Sequence, residues 1–260
     1  MNFSEALRST RGEMDTHVPE GWMQGRAAFG GLVAALVYQA IEEQSEGAPL
    51  RSLTVSFVAP TSQGALSRRA EVLRRGSSVT QIEGRAVQGE QVVAAALASF
   101  GRARESSISV AFPSAPSFTA PEDCQAFPDI EGLTPEFARH FDYRIAQGAL
   151  PYSGISDTRF GGWVRFRDCN DEVTINHLLA LIDAWPPAVL QMLSKLAPAS
   201  SLTWTLEVME PLSQCRAGDW WQYLAEIEQA DDGYAVIQAK IWDADGNPVA
   251  LSRQTVTVFG

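Results

Sequence analysis

The sequence predicts an α+β protein made of two tandem copies of one unit, with a separate antiparallel sheet wrapping a central helix in each copy. Two observations carry this. A helical stretch at residues 32–44 is followed by four strand-like runs, and the same order recurs from about residue 176. Pro60 and Pro211 also stand 151 residues apart (211 minus 60), and at that offset Leu53, Val55 and Phe57 fall on Trp204, Leu206 and Val208. Ser52 and Thr54 fall on Thr203 and Thr205. A slip of one residue would exchange the two faces of a strand, so agreement on both faces is a demanding test of the repeat.

The first unit opens with a polar lead-in and then Trp22-Met23-Gln24-Gly25-Arg26-Ala27-Ala28-Phe29-Gly30-Gly31. The helix that follows is rich in Ala and Leu and has no internal Gly or Pro. Apolar residues occupy nearly every position to Ala40, which places most of its faces in a core. Residues 52–57 alternate polar and apolar side chains, and 65–73, 80–87 and 92–100 read as further strands. Gly76-Ser77 and Gly89-Glu90 mark the turns between them.

Pro113, Pro116, Pro121, Pro128 and Pro135 then crowd a polar stretch that reads as a linker, with a short helix near 135–140. The division is a first domain at 1–105, a linker at 106–150 and a second domain at 151–260. In the second domain, Gly161-Gly162-Trp163-Val164-Arg165-Phe166 lies in the expected first strand. A helix is expected over about 176–196, then strands over 202–208, 220–229, 234–244 and 248–259. Asp231-Asp232-Gly233 and Asp245-Gly246-Asn247 are turn signals, because Asp, Asn and Gly tolerate positive φ.

Composition narrows the function. The chain has 260 residues, 45% of them hydrophobic and 20% charged, the balance of an ordinary globule. Its 31 acidic against 20 basic residues leave a formal charge of -11, which argues against a nucleic-acid partner. Cys124, Cys169 and Cys215 are odd in number and scattered, so no disulfide scaffold or zinc cluster is expected and a reducing, cytoplasmic location fits. No signal peptide is evident, and the apolar runs are too short for a membrane span. No G-x-S-x-G, phosphate loop, dinucleotide fingerprint or H-E-x-x-H occurs. His17, His140 and His177 lie far apart in sequence, and His177 reads as a packed or capping residue. Neither metal nor cofactor is expected.

Several segments resemble the type II (TesB-like) acyl-CoA thioesterases, a double hot-dog family. Phe29-Gly30-Gly31 before an apolar helix is similar to that family's hot-dog helix start, as are Val58-Ala59-Pro60 and Val72-Leu73-Arg74-Arg75-Gly76-Ser77-Ser78 to its next segments. Leu179-Ala180-Leu181-Ile182-Asp183 resembles the helix that carries the family's catalytic Asp. Ser201 stands where the family has a catalytic Thr or Ser, and Gln254 where it has a catalytic Gln. The departures are Ser at the Thr position and Pro186-Pro187 just after the Asp. The resemblance covers nearly the whole chain outside the linker. It implies hydrolysis of an acyl-CoA to a free acid and CoA. Edges of such sheets often pair, so a homodimer is the expected assembly.

Thioester hydrolysis needs an activated water and donors for the developing oxyanion. Asp183 sits in an apolar context where burial would raise its pKa and make it a better base; it would also serve as a helix cap. Ser201 would help fix the water, although Ser200 is a near-equivalent and a polar strand start is common. Gln254 has an amide able to bridge two partners; the alternative is an outward-facing polar residue. Gly30 and Gly31 would admit the thioester close to backbone N–H groups, or serve tight packing. Arg74 and Arg75 would meet CoA phosphates, or stay solvated at a strand end. The first half offers Val37, Leu50 and Leu97 near the corresponding positions, so one site per chain is expected, in the second half. The rival reading is a non-catalytic acyl-CoA- or lipid-binding module that kept the fold and lost the chemistry.

Overall fold

The computed structural model describes residues 1–259. The elements in chain order are α1 (Phe3–Thr10), β1 (Asp15–Val18), β2 (Met23–Gln24), β3 (Ala27–Ala28), α2 (Gly30–Glu42), β4 (Leu50–Phe57), β5 (Gly64–Arg75), β6 (Val79–Gln88) and β7 (Gln91–Gly101). After these come β8 (Gln125–Ala126), β9 (Phe141–Gln147), β10 (Arg159–Phe166), α3 (Ile175–Asp183), β11 (Ala199–Val208), β12 (Trp221–Asp231), β13 (Tyr234–Trp242) and β14 (Pro248–Val258). Helix α2 is buried from Gly31 to Ile41, as its continuous apolar composition requires.

The expectation of two separate sheets is corrected. One antiparallel sheet of 12 strands runs in the order β1-β5-β6-β7-β4-β11-β14-β13-β12-β10-β9-β8. The halves join because β4 pairs with β11, from Thr203↔Ser56 to Glu207↔Ser52. Either edge left alone would present a row of unpaired N–H and C=O groups, and pairing satisfies both rows. The ladder centres on Thr54↔Thr205, whose hydroxyl oxygens lie 3.1 Å apart. These two residues differ by the same 151 positions as the repeat, so the sequence offset is a pseudo-twofold axis through that pair. The inner face carries Leu53, Val55, Trp204, Leu206 and Val208, all buried.

Two further expectations change. The stretch 106–150 contributes β8, β9 and a 3-10 helix at Glu136–His140, so β9 precedes β10 in the second half of the sheet. The helix expected over 176–196 stops at Asp183, and a 3-10 turn follows at Ala188–Met192. Pro186 and Pro187 have no N–H to give the carbonyls one turn back, so the helix cannot continue through them. No helix among the described residues is long and apolar enough to cross a membrane.

Helix α1 anchors the N-terminal segment against both halves. Buried Arg68 donates to the carbonyls of Leu36, Thr10 and Glu13 and to Gln39 Oε1. Ser4 Oγ lies 2.9 Å from His177 Nε2 and 3.1 Å from Cys169 Sγ. Cys169, Asp171 and His177 thus come together in space. The Thr174 N–H points at His177 Nδ1 at 3.2 Å. That N–H can only donate, so Nδ1 accepts and the neutral ring keeps its proton on Nε2. Burial pushes the His177 pKa down to about 4, which fits the packing and capping role at the start of α3.

Candidate active site

Asp183 is the last residue of α3, and it reaches the first turn of α2. The contact is close: a Cβ on Gly30 would lie 2.8 Å from Asp183 Oδ2. A Cβ on Gly31 would lie 2.6 Å from the Phe29 ring and 3.1 Å from the Ala180 Cα. Gly30 makes room for the carboxylate, and Gly31 lets the two helices approach. A helix N-terminus, with its free N–H groups and positive dipole end, suits an anion. Burial nonetheless dominates and pushes the Asp183 carboxyl up to about 7, against the smaller opposing pulls of the Gly31 N–H and the Gln254 amide.

The Gln254 side chain ties the site together. Its Nε2 donates to Ser201 Oγ at 2.8 Å and to Asp183 Oδ1 at 3.3 Å. Both amide hydrogens are thereby used, and the Ser201 hydroxyl, having accepted one bond, keeps its own hydrogen to donate. Ser200 is exposed, and its carbonyl accepts from Thr257 Oγ1 at 3.2 Å, so Ser201 is the serine brought to the carboxylate.

A β-bulge makes this possible. Ser201 and Trp204 are three residues apart, so regular alternation would put them on opposite faces. Leu202 has no partner on β14: Ser201 pairs with Val256 and Thr203 with Thr255. The extra residue shifts the alternation and turns Ser201 inward beside Trp204, which pairs with Gln254. The first half carries the same device, with Arg51 unpaired between Leu50 and Ser52. Leu50 and Leu53 are both buried although three residues apart.

The first-half counterparts therefore shift by a residue at two positions. Ala98 pairs with Leu53 as Gln254 pairs with Trp204, so Ala98 takes the place assigned to Leu97, which is 51% exposed on the outer face. Aligned at their N-caps, Phe29 and Thr174, the two helices place Tyr38 opposite Asp183, next to the expected Val37. Tyr38, Leu50 and Ala98 offer no carboxylate, serine or amide.

Asp183, Ser201 and Gln254 share a cavity of about 740 Å³ with Gly30. It lies between the end of β4, the start of β11 and the segment 127–138. Asp183 is the one charged residue on its wall among the described residues. Tyr143 and Trp185 line it too, and the Tyr143 hydroxyl donates to the Ala184 carbonyl at 3.1 Å, closing the end of α3. Burial, with the nearby Asp183 charge, pushes the Tyr143 phenol well above its ordinary value, so it stays neutral. Sequence reasoning missed Tyr143 and the cavity wall at 127–138 because it read 106–150 as linker. The available signal was Phe127, Ile130, Leu133 and Phe137, apolar residues in an otherwise polar, Pro-rich stretch.

Arg74 and Arg75 are not brought to this cavity. Arg74 lines a separate groove with Gly76 and Ser77, and Arg75 pairs with Glu46 at 2.8 Å and with the Gln44 carbonyl at 3.1 Å. Strand β5 stands three places from β4 in the sheet, which separates its end from the site.

Comparison with known proteins adds the family. Residues 18–101 match the acyl-CoA thioesterase N-terminal domain and residues 121–258 the acyl-CoA thioesterase C-terminal domain. None of the curated proteins matches the sequence. Among solved structures, a hot-dog-fold protein of unknown function from Alicyclobacillus acidocaldarius is similar, with TM-score 0.85, 22% identity and coverage of 99% of this chain and 98% of that one. Acyl-CoA thioesterase II TesB2 from Mycobacterium marinum has TM-score 0.72 and 22% identity, over 89% of this chain and 90% of its own. The tesB protein of Mycobacterium avium subspecies paratuberculosis has TM-score 0.79 and 15% identity, with 100% of both chains covered. At these identities the structures speak for the hot-dog fold.

Proposed function

The chain belongs to the acyl-CoA thioesterase family, and from that premise we propose that it hydrolyses an acyl-CoA to a free carboxylic acid and CoA through a water held by Asp183, Ser201 and Gln254. The observation that carries this reading is the Gln254 amide bonded to both Ser201 and Asp183 on the wall of an otherwise uncharged cavity.

The chemistry follows from those groups. With a pKa of about 7, Asp183 is ionised in part near neutral pH and strong enough to take a proton from water. Ser201 and Gln254 fix the water so that its oxygen faces the thioester carbonyl carbon. Attack forms the C–O bond and puts negative charge on the carbonyl oxygen, for which a helix N-terminus such as the start of α2 offers backbone N–H donors. Collapse breaks the C–S bond, and the proton held by Asp183 goes to the departing thiolate. Water has then supplied the hydroxyl of the acid and the hydrogen of the thiol, and Asp183 is regenerated.

The test is thiol release from a panel of acyl-CoAs, scored for the wild-type chain and for Asp183→Asn. General-base catalysis contributes about 10²- to 10⁴-fold, so kcat should fall by that range while the fold survives. Turnover kept within a few-fold would remove Asp183 from the mechanism.

A further inference from the structure

Ile130 and Leu133 line the cavity that holds Asp183, yet they are 47% and 46% exposed. Val58, Leu202 and Phe259, carried by other parts of the chain, line the same cavity and are exposed as well. Single exposed apolar side chains are ordinary on any protein, but a group of five on one cavity marks a surface that something apolar covers.

The segment carrying Ile130 and Leu133 is built to hold them there. The Ile130 N–H donates to Thr134 Oγ1 at 2.8 Å, and the Thr134 N–H donates back to the Ile130 carbonyl at 2.9 Å. Thr134 Oγ1 donates to the Pro128 carbonyl at 3.3 Å, and the Asp129 carboxylate lies 3.3 Å from Arg139. Each of these bonds stays between residues 128 and 139. The two ends are pinned by aromatic contacts: Phe127 lies 5.5 Å from Tyr143 between ring centroids, and Phe137 stacks on Phe29 at 4.2 Å and 2°. Between the pins, the loop sets its own conformation and holds the two aliphatic side chains against the cavity.

Resting on the thioesterase reading above, we infer that Ile130 and Leu133 are specificity-determining residues that pack on the distal part of an extended apolar acyl chain. The preferred substrate class is then a medium- or long-chain acyl thioester. A two-carbon acyl group held at Asp183 would leave most of a cavity of about 740 Å³ wet, and the exposed aliphatic wall with it. Each further methylene that leaves water for this wall should raise kcat/KM about fourfold until the wall is covered.

The experiment compares Ile130→Ser/Leu133→Ser with the wild-type full chain, reading the ratio of kcat/KM for dodecanoyl-CoA to that for butanoyl-CoA. The ratio should fall about tenfold or more. A ratio held within about twofold overturns the inference. So does a change of oligomeric state by light scattering with the ratio kept, which would make the apolar wall an interface with a second copy. If the double variant does not fold, Ile130→Ala and Leu133→Ala read the same ratio separately. Calorimetric binding of the thioethers S-dodecyl-CoA and S-butyl-CoA separates this inference from the hydrolase reading. If no thioester is turned over but the double variant still loses S-dodecyl-CoA affinity selectively, hydrolysis falls and the acyl-binding role stands. If thioesters are hydrolysed with an unchanged ratio and unchanged S-dodecyl-CoA affinity, the reverse holds.

Discussion

Asp183→Asn should make the protein more stable, and more so as the pH rises. Burial raises the Asp183 pKa from 3.8 to about 7, so the folded chain binds a proton that the unfolded chain gives up over most of that interval. For a carboxyl raised in the folded state, stability is fully present below the unfolded pKa and is lost as pH climbs through the window from 3.8 to about 7. Above the window the loss reaches about 4 kcal/mol, from roughly three pKa units at about 1.36 kcal/mol each. At pH 5 it is under about 2 kcal/mol, because the unfolded group is only part-way through its advantage. Asn keeps the shape and removes the charge. Urea or thermal unfolding of wild type and variant should give a stability gap near about 2 kcal/mol at pH 5 that widens to about 4 kcal/mol at pH 8. At about 2 °C per kcal/mol for a chain of this size, the difference in Tm at pH 8 is about 8 °C. A variant less stable than wild type at both pH values, or a gap that does not grow with pH, refutes the claim that Asp183 is strained by burial. Confirmation would mark it as a residue kept at a cost in stability, as active-site groups often are.

The remaining outcomes test the architecture of the site. Gly30→Ala puts a Cβ 2.8 Å from Asp183 Oδ2, so the carboxylate must move; thiol release should fall about a hundredfold while Tm holds or rises, because the substitution favours the helix. Ser201→Ala removes the hydroxyl that accepts from the Gln254 amide at 2.8 Å; activity should be lost while circular dichroism still reports the sheet, and a fully active variant would remove Ser201 from the site.

Much of the architecture was legible before any coordinates. Residues Leu53, Val55 and Phe57 against Trp204, Leu206 and Val208 announce both a repeat and its register, because strand alternation leaves one alignment that keeps the same faces inward. The helix, strand and turn signals around α2, β4 to β7 and β11 to β14 are local, and local propensity decides them. Asp183, Ser201 and Gln254 were reached through a family resemblance, and composition alone would not have singled them out from a helix cap, a strand start and an outward-facing polar side chain.

What the linear order settles by itself is the content of each half: one apolar helix, one meander, and polar groups of the right kind in the second copy only. Tertiary structure decided the rest. The pairing of β4 with β11 merges two expected sheets into one, since an edge finds its partner in space and not along the chain. The unpaired Leu202 turns Ser201 inward, and nothing in the order Ser200-Ser201-Leu202 distinguishes a bulge from regular strand. The Pro-rich segment read as a linker supplies two strands and a wall of the cavity, because its scattered apolar residues meet only when the chain closes over the end of α3. The same closure surrounds Asp183 with apolar groups and shifts its pKa, a property of surroundings that no single residue carries.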